Sequence, residues 1–433
     1  MYVGFDDTDS TSSMCTTFLA TEVVRGLSHY DLIGHPRLVR LNPAVPWKTR
    51  GNGALELRLG EGKGKATVIG NIRGREVRCF PGCKGEADIG DVLETCSRLI
   101  DRWSRTQEDA SPGLVVSERR PSPKLYWQAV RTIVDRSQVE DELKTIGART
   151  YQLAGGRGII GAAAAISWRP RDRTYETLTY RTMEMWGKPR MVDAEDVERL
   201  DERFPSTFNN FDHEARRTAI VPHSPCPILF GVRGDDPKGT IEAAASVRSE
   251  TKDRWLTFLS NQGTDDHIIA WRGELRPWSS YRIRGTVVSR PRTIAGGHVL
   301  FELRVGSSNK LDCAAYEPSK GFRGVVRRLI PGDEVEVMGE LREVPRTLNL
   351  EKLHVVKLAE ELRKSSNPLC PECGKSTGSM GRGEGFRCKR CRTRVAVGEK
   401  YQRVERSIAP GWYEPPVCAR RHLSKPLKRM ASS

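Results

Sequence analysis

Three aspartates near the start of the chain are its most informative feature. Asp6, Asp7 and Asp9 follow a short apolar run, and the hydroxyl-rich stretch behind them ends at Thr16 and Thr17. Carboxylates this close repel one another, so a fold keeps them only where cations or hydrogen-bond donors compensate. Mg²⁺ prefers oxygen ligands and is usually held by one or two carboxylates together with substrate phosphates. The segment therefore predicts a magnesium–nucleotide site, although an exposed Asp-Ser-Thr turn with ordinary helix capping has the same composition.

A strand and a helix would position these aspartates. Residues 2–5 predict a strand, and residues 17–27 predict a helix whose first backbone amides favour an anionic phosphate. Further along, residues 46–54 form a Gly-rich loop before another strand. Two cations of this loop could neutralise phosphates, and its amide could orient a base or ribose. The ATP-binding candidates here are Lys48, Arg50, Asn52 and Gly53.

A second glycine-rich stretch, residues 156–161, matches the Gly-x-Gly-x-x-Gly pattern of dinucleotide-binding loops. We reject that interpretation because no clear βαβ unit surrounds the stretch and the acidic residue about twenty positions on, Glu176, lies inside a predicted strand. Two explanations remain open. Arg157 and Gly158 could clamp a phosphate of ATP, or the glycines could allow close packing of a helix.

The length of 433 residues exceeds what one core can support and predicts three or four domains. We expect an N-terminal α+β domain over 1–137, extending as far as about 200, and a further α+β region over 138–275. A β-rich domain would occupy 276–360, and a basic module would occupy 361–433. In the first region, the Ser/Pro-rich stretch 110–123 predicts a loop.

Composition also bears on where the protein works. No run approaches the roughly 20 apolar residues that span a bilayer, and acidic residues by position 6 do not fit a signal peptide. We therefore expect a cytoplasmic protein with reduced cysteines and no membrane partner. From residue 361 onward, 17 Lys and Arg stand against six Glu, so this module carries +11 of the formal net charge of +16. Such a localised positive field indicates a nucleic-acid partner, and a solvated basic tail is the alternative.

Five short β-rich runs between 279 and 356, with a helical stretch over 321–329 between the third and the fourth, are typical of an OB barrel. Barrels of this kind bind single-stranded nucleic acid, but also oligosaccharides and proteins. Directly after them come two Cys-x-x-Cys pairs separated by fourteen residues. This spacing predicts a structural zinc ribbon, because protein thiolates fill all four tetrahedral positions: Cys370, Cys373, Cys388 and Cys391. Cations near the second pair are well placed to meet phosphates: Lys389, Arg390, Arg392 and Arg394.

The order of these motifs resembles that of the archaeal tRNA(Ile) 2-agmatinylcytidine synthetases over nearly the whole chain. The resemblance is carried by Phe-Asp-Asp-Thr-Asp at 5–9, Met-Cys-Thr-Thr at 14–17, and residues 41–53, 156–158, 207–210, 261–267 and 420–423. Two positions depart from the pattern. Phe5 stands where a smaller aliphatic residue is usual, and Gly155 stands where Asn is usual.

The resemblance implies an RNA-modifying ligase. Members act on the tRNA(Ile) that has a CAU anticodon. They use ATP to exchange the C2 oxygen of its wobble cytidine for agmatine, so that the tRNA reads AUA. A kinase-like N-terminal domain would phosphorylate the C2 oxygen, and the agmatine amine would then displace phosphate. A ferredoxin-like domain, an OB barrel and a zinc ribbon that holds tRNA would follow. By motif position, Thr16 would be phosphorylated. The chemistry of the residues themselves leads us to assign Asp6, Asp7 and Asp9 to Mg²⁺ and one of them to general-base catalysis.

The remaining assignments concern the other substrates. Agmatine is dicationic, so a carboxylate should meet its guanidinium, and the candidates are Asp236, Asp265 and Asp266. Arg420 and Arg421 join the ribbon cations as RNA-binding candidates. Two other functions remain open, namely an ATP-dependent RNA-modifying enzyme that uses another amine, and a non-catalytic nucleic-acid-binding protein.

Overall fold

The computed structural model describes residues 1–49, 51–306, 309–381, 384–396 and 400–431, without the side chain of Lys400. The ATP-binding candidate Arg50 therefore lies outside the described residues. Within the described residues, no helix is long and apolar enough to cross a membrane.

The N-terminal region is a mixture of strands and helices. Its elements are β1 (Tyr2–Asp6), α1 (Thr16–Gly26), β2 (Asp31–Ile33), β3 (Arg37–Arg40), β4 (Gly53–Lys63), β5 (Thr67–Ile72), β6 (Arg75–Phe80), β7 (Gly82–Glu86), α2 (Ile89–Trp103), β8 (Gly113–Ser117), α3 (Pro123–Arg131), α4 (Arg136–Thr145) and β9 (Arg149–Gln152). Several helices begin at capping residues, as at Asp88, which accepts a hydrogen bond from the Asp91 amide at 2.8 Å and so starts α2.

The next region continues the same sheet. Its elements are α5 (Ile159–Ser167), β10 (Thr174–Arg181), α6 (Ala194–Glu198), α7 (Leu200–Arg203), β11 (Thr207–Phe208), β12 (Phe211–Asp212), β13 (Arg217–Thr218), β14 (Ile228–Gly234), α8 (Pro237–Ser246) and β15 (Lys252–Ser260), with a 3₁₀ turn at Met183–Met185. Thirteen strands of the two regions pair into one sheet, whose main path runs β11-β14-β10-β15-β5-β6-β2-β4-β1-β8-β9. Strand β3 links the two regions, because it pairs with both β4 and β15.

Strand β8 corrects the sequence analysis. Residues 113–117 lie in the Ser/Pro-rich stretch that predicts a loop, yet they form a buried strand paired with β1 and β9. The prediction was wrong because it rested on the Ser and Pro residues at the two ends of the stretch. Its centre is the apolar run Leu114, Val115 and Val116, which is completely buried, and a short apolar run bounded by turn residues is typical of a central strand.

The third region confirms the predicted five-stranded barrel. Its elements are β16 (Ile268–Ala270), β17 (Ser279–Val287), β18 (Arg292–Thr293), β19 (Val299–Val305), β20 (Asn309–Ala315), α9 (Gly321–Arg327), β21 (Glu334–Leu341) and β22 (Leu348–Lys357), with a 3₁₀ turn at Ala295–Gly297. Strands β17, β21, β22, β20 and β19 pair in that order, and β17 also pairs with β19, which closes the barrel around its own core. Helix α9 lies between the third and fourth barrel strands, as the sequence predicts.

The final region holds the ribbon and then returns to the other domains. Its elements are β23 (Glu361–Ser366), β24 (Thr377–Ser379), β25 (Phe386–Cys388), β26 (Arg394–Val395), β27 (Lys400–Val404), β28 (Gly411–Tyr413) and α10 (Leu427–Met430), with a 3₁₀ turn at Val417–Ala419. Strands β24, β25 and β26 form the small sheet of the ribbon, whereas β28 pairs with barrel strand β22. The multidomain α+β architecture with a barrel and a C-terminal ribbon is therefore confirmed.

Candidate active site

A cavity of about 450 Å³ lies where β1 ends, where α1 and α5 begin and where residues 47–53 cross. Its walls bring together most of the residues that the sequence assigns to catalysis and ATP binding. These are Asp6, Asp7, Asp9, Thr16, Lys48, Asn52, Gly53, Arg157 and Gly158, and the cavity also receives Arg420 and Arg421. Segments more than 400 residues apart in sequence thus contribute to one site.

Helix α5 lies unusually close to the first aspartate. A Cβ atom at Gly161 would lie 1.9 Å from the Oδ2 atom of Asp6, and one at Gly158 would lie 2.4 Å from its carbonyl oxygen. The same close contact continues along β1, where a Cβ at Gly4 would lie 2.3 Å from the Ala162 carbonyl oxygen. The glycine pattern at 156–161 therefore allows close packing of a helix against the strand that carries the aspartates.

The three carboxylates have different environments. Burial, followed by repulsion from Asp7, raises the pKa of Asp6 well above its usual range. Burial also raises the pKa of Asp7, although the Arg157 guanidinium opposes this by donating to Oδ2 of Asp7 at 2.7 and 3.0 Å. Arg157, predicted to face ATP, therefore lies in the cavity but pairs with Asp7. This site concentrates negative charge that the guanidinium of Arg157 only partly offsets.

Asp9 connects the acidic group to the hydroxyls around it. Its Oδ1 atom accepts hydrogen bonds from Thr16 at 3.4 Å and from Thr49 at 3.3 Å. Thr16 also accepts a hydrogen bond from the Thr8 hydroxyl at 3.2 Å and is the first residue of α1. The hydroxyl of Thr16 therefore lies beside a carboxylate and at a helix N-terminus, where backbone amides favour phosphate.

The 47–53 loop is held by its own polar groups. Lys48 donates to the Pro43 carbonyl, and burial followed by the charge of Arg421 lowers the pKa of Lys48. The side chain of Asn52 donates to the Asn42 carbonyl at 2.8 Å, and the Asn52 carbonyl accepts from the Leu41 amide at 2.9 Å. Asn52 thus orders the loop, with its side chain committed to the backbone.

Cations outnumber carboxylates among the described residues that line the cavity. The carboxylates are Asp6, Asp7, Asp9 and Glu176, and the cations are Arg40, Lys48, Arg157, Arg217, Arg233, Arg420 and Arg421. Arg40, Glu176 and Arg233 were not singled out as binding residues from the sequence, since each lies in an ordinary strand with no motif around it. The excess positive charge suits a polyphosphate or a nucleic-acid backbone.

The C-terminal segment, residues 414–430, forms one wall of the cavity. It is fixed there by backbone hydrogen bonds, from the Gly263 amide to the His422 carbonyl at 2.8 Å and from the Asp265 amide to the Leu423 carbonyl at 2.9 Å. Leu423 is buried in the core around α3 and α5. Sequence reasoning placed this segment with RNA binding, and no local pattern could have shown that it returns to the N-terminal aspartates.

Arg420 and Arg421 therefore lie half-buried at the cavity wall. Arg420 pairs with Glu414 at 2.8 Å and donates to the side chain of Asn209 at 2.8 Å. Arg421 pairs with Glu340 of the barrel and lies 3.4 Å from Glu351. Both guanidiniums join separate regions of the chain at the edge of the cavity.

The motif at 261–267 connects the elements around the cavity. Asn261 brackets Arg40 by accepting from its amide at 2.7 Å and donating to its carbonyl at 2.8 Å. Gln262 donates to Glu176, and its side-chain oxygen lies 3.0 Å from Nδ1 of His422. His267 lies 2.9 Å from Glu351 of the barrel. The contacts of this turn are those of a structural junction.

The three agmatine candidates lie away from the cavity walls. Asp236 caps α8 by accepting from the Gly239 amide at 2.7 Å. Asp265 pairs with the buried Lys352 at 2.5 Å, which joins this turn to the barrel. Asp266 accepts a hydrogen bond from the Tyr126 hydroxyl at 2.5 Å, and burial raises the pKa of Asp266.

The ribbon cysteines form a compact thiol cluster. The Sγ atoms of Cys370, Cys373, Cys388 and Cys391 all lie within 4.8 Å of one another. This arrangement fits the tetrahedral zinc site that the spacing predicts. The ribbon cations are exposed, as the sequence expects for groups that meet phosphates: Lys389, Arg390, Arg392 and Arg394.

A cation-rich cavity with an acidic end, a closed barrel and a basic four-cysteine ribbon define a nucleotide-using enzyme that carries a nucleic-acid-binding module. Three family models match the chain: the TiaS TCKD domain over residues 2–155, the TiaS FLD domain over 156–267 and the TiaS C-terminal zinc ribbon domain over 367–408. The chain belongs to the tRNA(Ile) 2-agmatinylcytidine synthetase family, TiaS, which confirms the resemblance noted in its sequence.

Relatives match over the full length. The tRNA(Ile) 2-agmatinylcytidine synthetase of Archaeoglobus fulgidus is 40% identical, over 99% of this chain and 97% of the relative. Among solved structures, a complex of TiaS with its isoleucine tRNA and ATP is 37% identical with a TM-score of 0.86. A complex of TiaS with this tRNA, AMPCPP and agmatine is 35% identical with a TM-score of 0.83. Each covers 99% of this chain and is itself covered over 97%.

Proposed function

We propose that the protein is an ATP-dependent ligase that attaches agmatine to C2 of the wobble cytidine in tRNA(Ile) with a CAU anticodon. The observation that carries this proposal is the cavity, which joins the acidic cluster of β1 to cations from the 47–53 loop and the C-terminal segment. Relatives crystallised with an isoleucine tRNA, ATP, an ATP analogue and agmatine support the choice of substrates. With tRNA as its substrate, the cytoplasm is the compartment that we propose.

The chemistry requires activation before the amine can attack. The C2 oxygen of a pyrimidine is a poor leaving group, so transfer of the γ-phosphoryl group from ATP to this oxygen forms a C2–O–P linkage and releases ADP. The neutral amine of agmatine then forms the C2–N bond, and the C2–O bond breaks as phosphate leaves. Phosphoryl transfer needs positioning and charge neutralisation more than covalent help, and the cavity's cations are suited to that task.

The donor set at the acidic end fits Mg²⁺. Burial raises the pKa values of the carboxyl groups of Asp6 and Asp7, and oxygen ligands of this kind suit a hard cation. Asp6, Asp7 and Asp9 would hold the ion, which would neutralise charge on the phosphates. Thr16 is the hydroxyl that we propose as the site of self-phosphorylation, because it lies against Asp9 and begins α1.

For the other substrates, the contacts favour some assignments over others. Lys48 and Arg157 remain our proposed cations for ATP, with Gly53 and Gly158 as close backbone neighbours and Arg50 assigned from sequence alone. The exposed ribbon cations remain our proposed RNA contacts. Structural partners occupy all three agmatine candidates, so we do not carry those residues into the proposal. Arg420 and Arg421 are proposed as groups that complete the cavity, because carboxylates of the tail and the barrel hold them there.

The finer domain assignments are also proposals. The phosphate-binding elements around β1 and α1 support a kinase-like domain over 1–137, extending to about 200. Antiparallel strands β10, β14 and β15, with α8 packed on them, support a ferredoxin-like unit within 138–275. The closed barrel supports an OB fold over 276–360, and the thiol cluster supports the ribbon module over 361–433.

An amine panel tests the function directly. The protein is incubated with ATP, a tRNA(Ile) transcript with a CAU anticodon and agmatine or other amines, and the digested nucleosides are weighed by mass spectrometry. We expect one modified cytidine whose mass corresponds to exchange of oxygen for agmatine. A different amine in the product would favour another RNA-modifying enzyme, and no adduct at all would favour a binding protein.

Asp9→Ala separates catalysis from binding. We expect product formation to fall at least about 100-fold, because phosphoryl transfer depends on this charge cluster, while tRNA affinity stays unchanged. The matched control is Asp141→Ala, which removes an exposed carboxylate that pairs with Lys144 on the same helix. If Asp9→Ala forms product as fast as this control, the catalytic assignment of the acidic cluster is wrong.

A further inference from the structure

His422 is a cavity group to which the proposed chemistry gives no role. The residue lies in the C-terminal segment, yet its ring lines the cavity and is accessible from it. Its Cδ2 and Nε2 atoms approach within 3.3 Å of the position that a Cβ at Gly51 would take. Two residues before Gly51, Thr49 donates to Asp9 at 3.3 Å, so one short loop connects the imidazole with the acidic end.

A chain of side chains fixes the tautomer of this imidazole. Arg233 donates to Glu176 at 3.0 Å and forms an ion pair with it, and the carboxylate of Glu176 accepts a hydrogen bond from Gln262. The amide nitrogen of Gln262 must therefore face Glu176, which leaves the amide oxygen to face Nδ1 of His422 at 3.0 Å. Because that oxygen only accepts, Nδ1 carries the proton and donates it.

The remaining ring nitrogen is then a hydrogen-bond acceptor. The charge of Arg40, burial and the charge of Arg233 together hold the pKa of His422 well below its usual range, so the ring is neutral. A neutral imidazole with a proton on Nδ1 has a lone pair on Nε2. The cavity thus presents one fixed acceptor next to the loop that contacts Asp9.

The chemistry of the surroundings selects the group that this acceptor meets. A phosphate would bind the guanidiniums of Arg40 and Arg233 and would not bind Nε2 of His422, because the lone pair of Nε2 repels phosphate oxygens. The same guanidiniums disfavour a dicationic amine at this point. A neutral N–H donor remains, and the exocyclic amino group of cytosine is such a donor, whereas uracil has a carbonyl acceptor at that position.

We propose that Nε2 of His422 accepts a hydrogen bond from the amino group of the target cytosine and so selects cytosine over uracil. This inference rests on the proposed function, because it requires a cytosine taken out of the anticodon stack into the cavity. Arg233, Glu176 and Gln262 act through His422 as positioning residues. In uracil, a carbonyl oxygen would face Nε2 of His422. Both atoms are acceptors, so two desolvated polar groups would be left without a hydrogen bond.

A change in the RNA tests the contact without altering the protein. A tRNA(Ile) is assembled with pyrimidin-2-one ribonucleoside at the wobble position, which keeps the C2 oxygen but lacks the amino group. For wild-type protein, we expect kcat/KM to fall about 10- to 100-fold relative to cytidine. For His422→Ala, the two RNAs should differ less than about threefold, because the acceptor that reads the amino group is gone. The control is His29→Ala, which removes an exposed histidine that pairs with Asp91 of α2 and should keep the wild-type ratio.

A second variant examines the choice between bases. In His422→Gln, the side-chain amide can rotate to present its oxygen to cytosine or its nitrogen to uracil, so we expect product on transcripts with either base. Wild-type protein should favour cytidine over uridine at least about 100-fold.

Each outcome has a separate meaning. If wild-type protein attaches no agmatine to the cytidine transcript, the proposed function fails. If it does, but His422→Ala keeps the wild-type ratio between the two RNAs, the contact proposed here is refuted. If His422→Ala raises the KM for agmatine and leaves the base preference unchanged, His422 contacts the amine, and the proposed contact with cytosine is refuted as well.

Discussion

The close approach of α5 to β1 makes Gly161→Ala the substitution that tests the site geometry most directly. The added Cβ would lie 1.9 Å from Oδ2 and 2.7 Å from Cγ of Asp6. Heavy atoms do not remain within 3.0 Å of a Cβ, so the helix and the carboxylate must separate by about 1.1 Å. Asp6 is fixed by its Oδ1 atom, which accepts from the Asp7 amide at 2.7 Å. The substitution therefore displaces the acidic cluster.

The expected magnitudes follow from that displacement. A shift of roughly 1 Å in a catalytic group costs about 100-fold in rate, which corresponds to about 2.7 kcal/mol of transition-state stabilisation. Overpacking between α5 and β1 should also lower the free energy of unfolding by about 1–3 kcal/mol. The rate is therefore measured at a temperature where circular dichroism shows the variant to be folded, with agmatine-modified cytidine quantified by mass spectrometry.

A matched glycine provides the control. Gly324 is also helical, in α9, but among the described residues no heavy atom beyond its neighbours lies within 4 Å of the position of its Cβ. Gly324→Ala should leave the rate unchanged and raise the free energy of unfolding by about 0.4–1 kcal/mol. A Gly161→Ala protein that is folded and forms product at the wild-type rate would show that the position of Asp6 does not limit the reaction.

Three further changes probe other parts of the molecule. Removing zinc with a chelator should disorder the ribbon and weaken tRNA binding. The slope of the logarithm of the binding constant against the logarithm of the salt concentration should become shallower by about 0.9 per lost phosphate contact. Affinity that is unchanged without zinc would exclude the ribbon from RNA binding. Lys352→Met should lower the free energy of unfolding in urea by about 3–5 kcal/mol, because it removes the buried cation that pairs with Asp265. The control Lys144→Met removes an exposed ion pair and should change the free energy of unfolding by less than about 1 kcal/mol. Burial lowers the pKa of His35 from 6.5 to about 4, so the unfolded chain takes up its proton first and stability should fall as the pH drops from 6.5 towards 4. His35→Gln should make that decline shallower, and an identical pH profile would contradict the burial argument.

The barrel strands, the cysteine cluster and the aspartate cluster could be predicted from the sequence, because each is determined by residues that are close together in the chain. The barrel strands alternate in hydrophobicity and are bounded by turns, and the helix α9 lies between the third and fourth of them, within the stretch 321–329 that predicts it. The two Cys-x-x-Cys pairs predict the thiol cluster because each pair sits on one tight turn. Asp6, Asp7 and Asp9 were found for the same reason, since their shared strand end fixes their proximity before any tertiary contact forms.

Other features depend on contacts between distant segments and could not be predicted in this way. Asp265 looked like a free carboxylate in a turn, and only the barrel strand that carries Lys352 shows why it is there. Glu176 looked like an ordinary strand residue until Arg233 and Gln262 are seen on either side of it. In β8, three buried apolar residues outweigh the Ser and Pro around them, because a central strand is selected by its core contacts more than by its flanks.

The path of the C-terminal segment changes how the basic module should be divided. The sequence suggests that removing residues 361–433 would weaken tRNA binding while sparing ATP turnover. That deletion would also remove Leu423 from a buried core and His422 from the cavity. It would leave Glu340 and Glu351 of the barrel without Arg421. Because removing a cationic partner from a buried carboxylate is costly, such a truncation tests the integrity of the cavity together with RNA binding. A deletion confined to residues 367–396 keeps the C-terminal segment. It also keeps Arg406, which pairs with the buried Asp333, and Ile408 of the barrel core, so it is the change that isolates the ribbon.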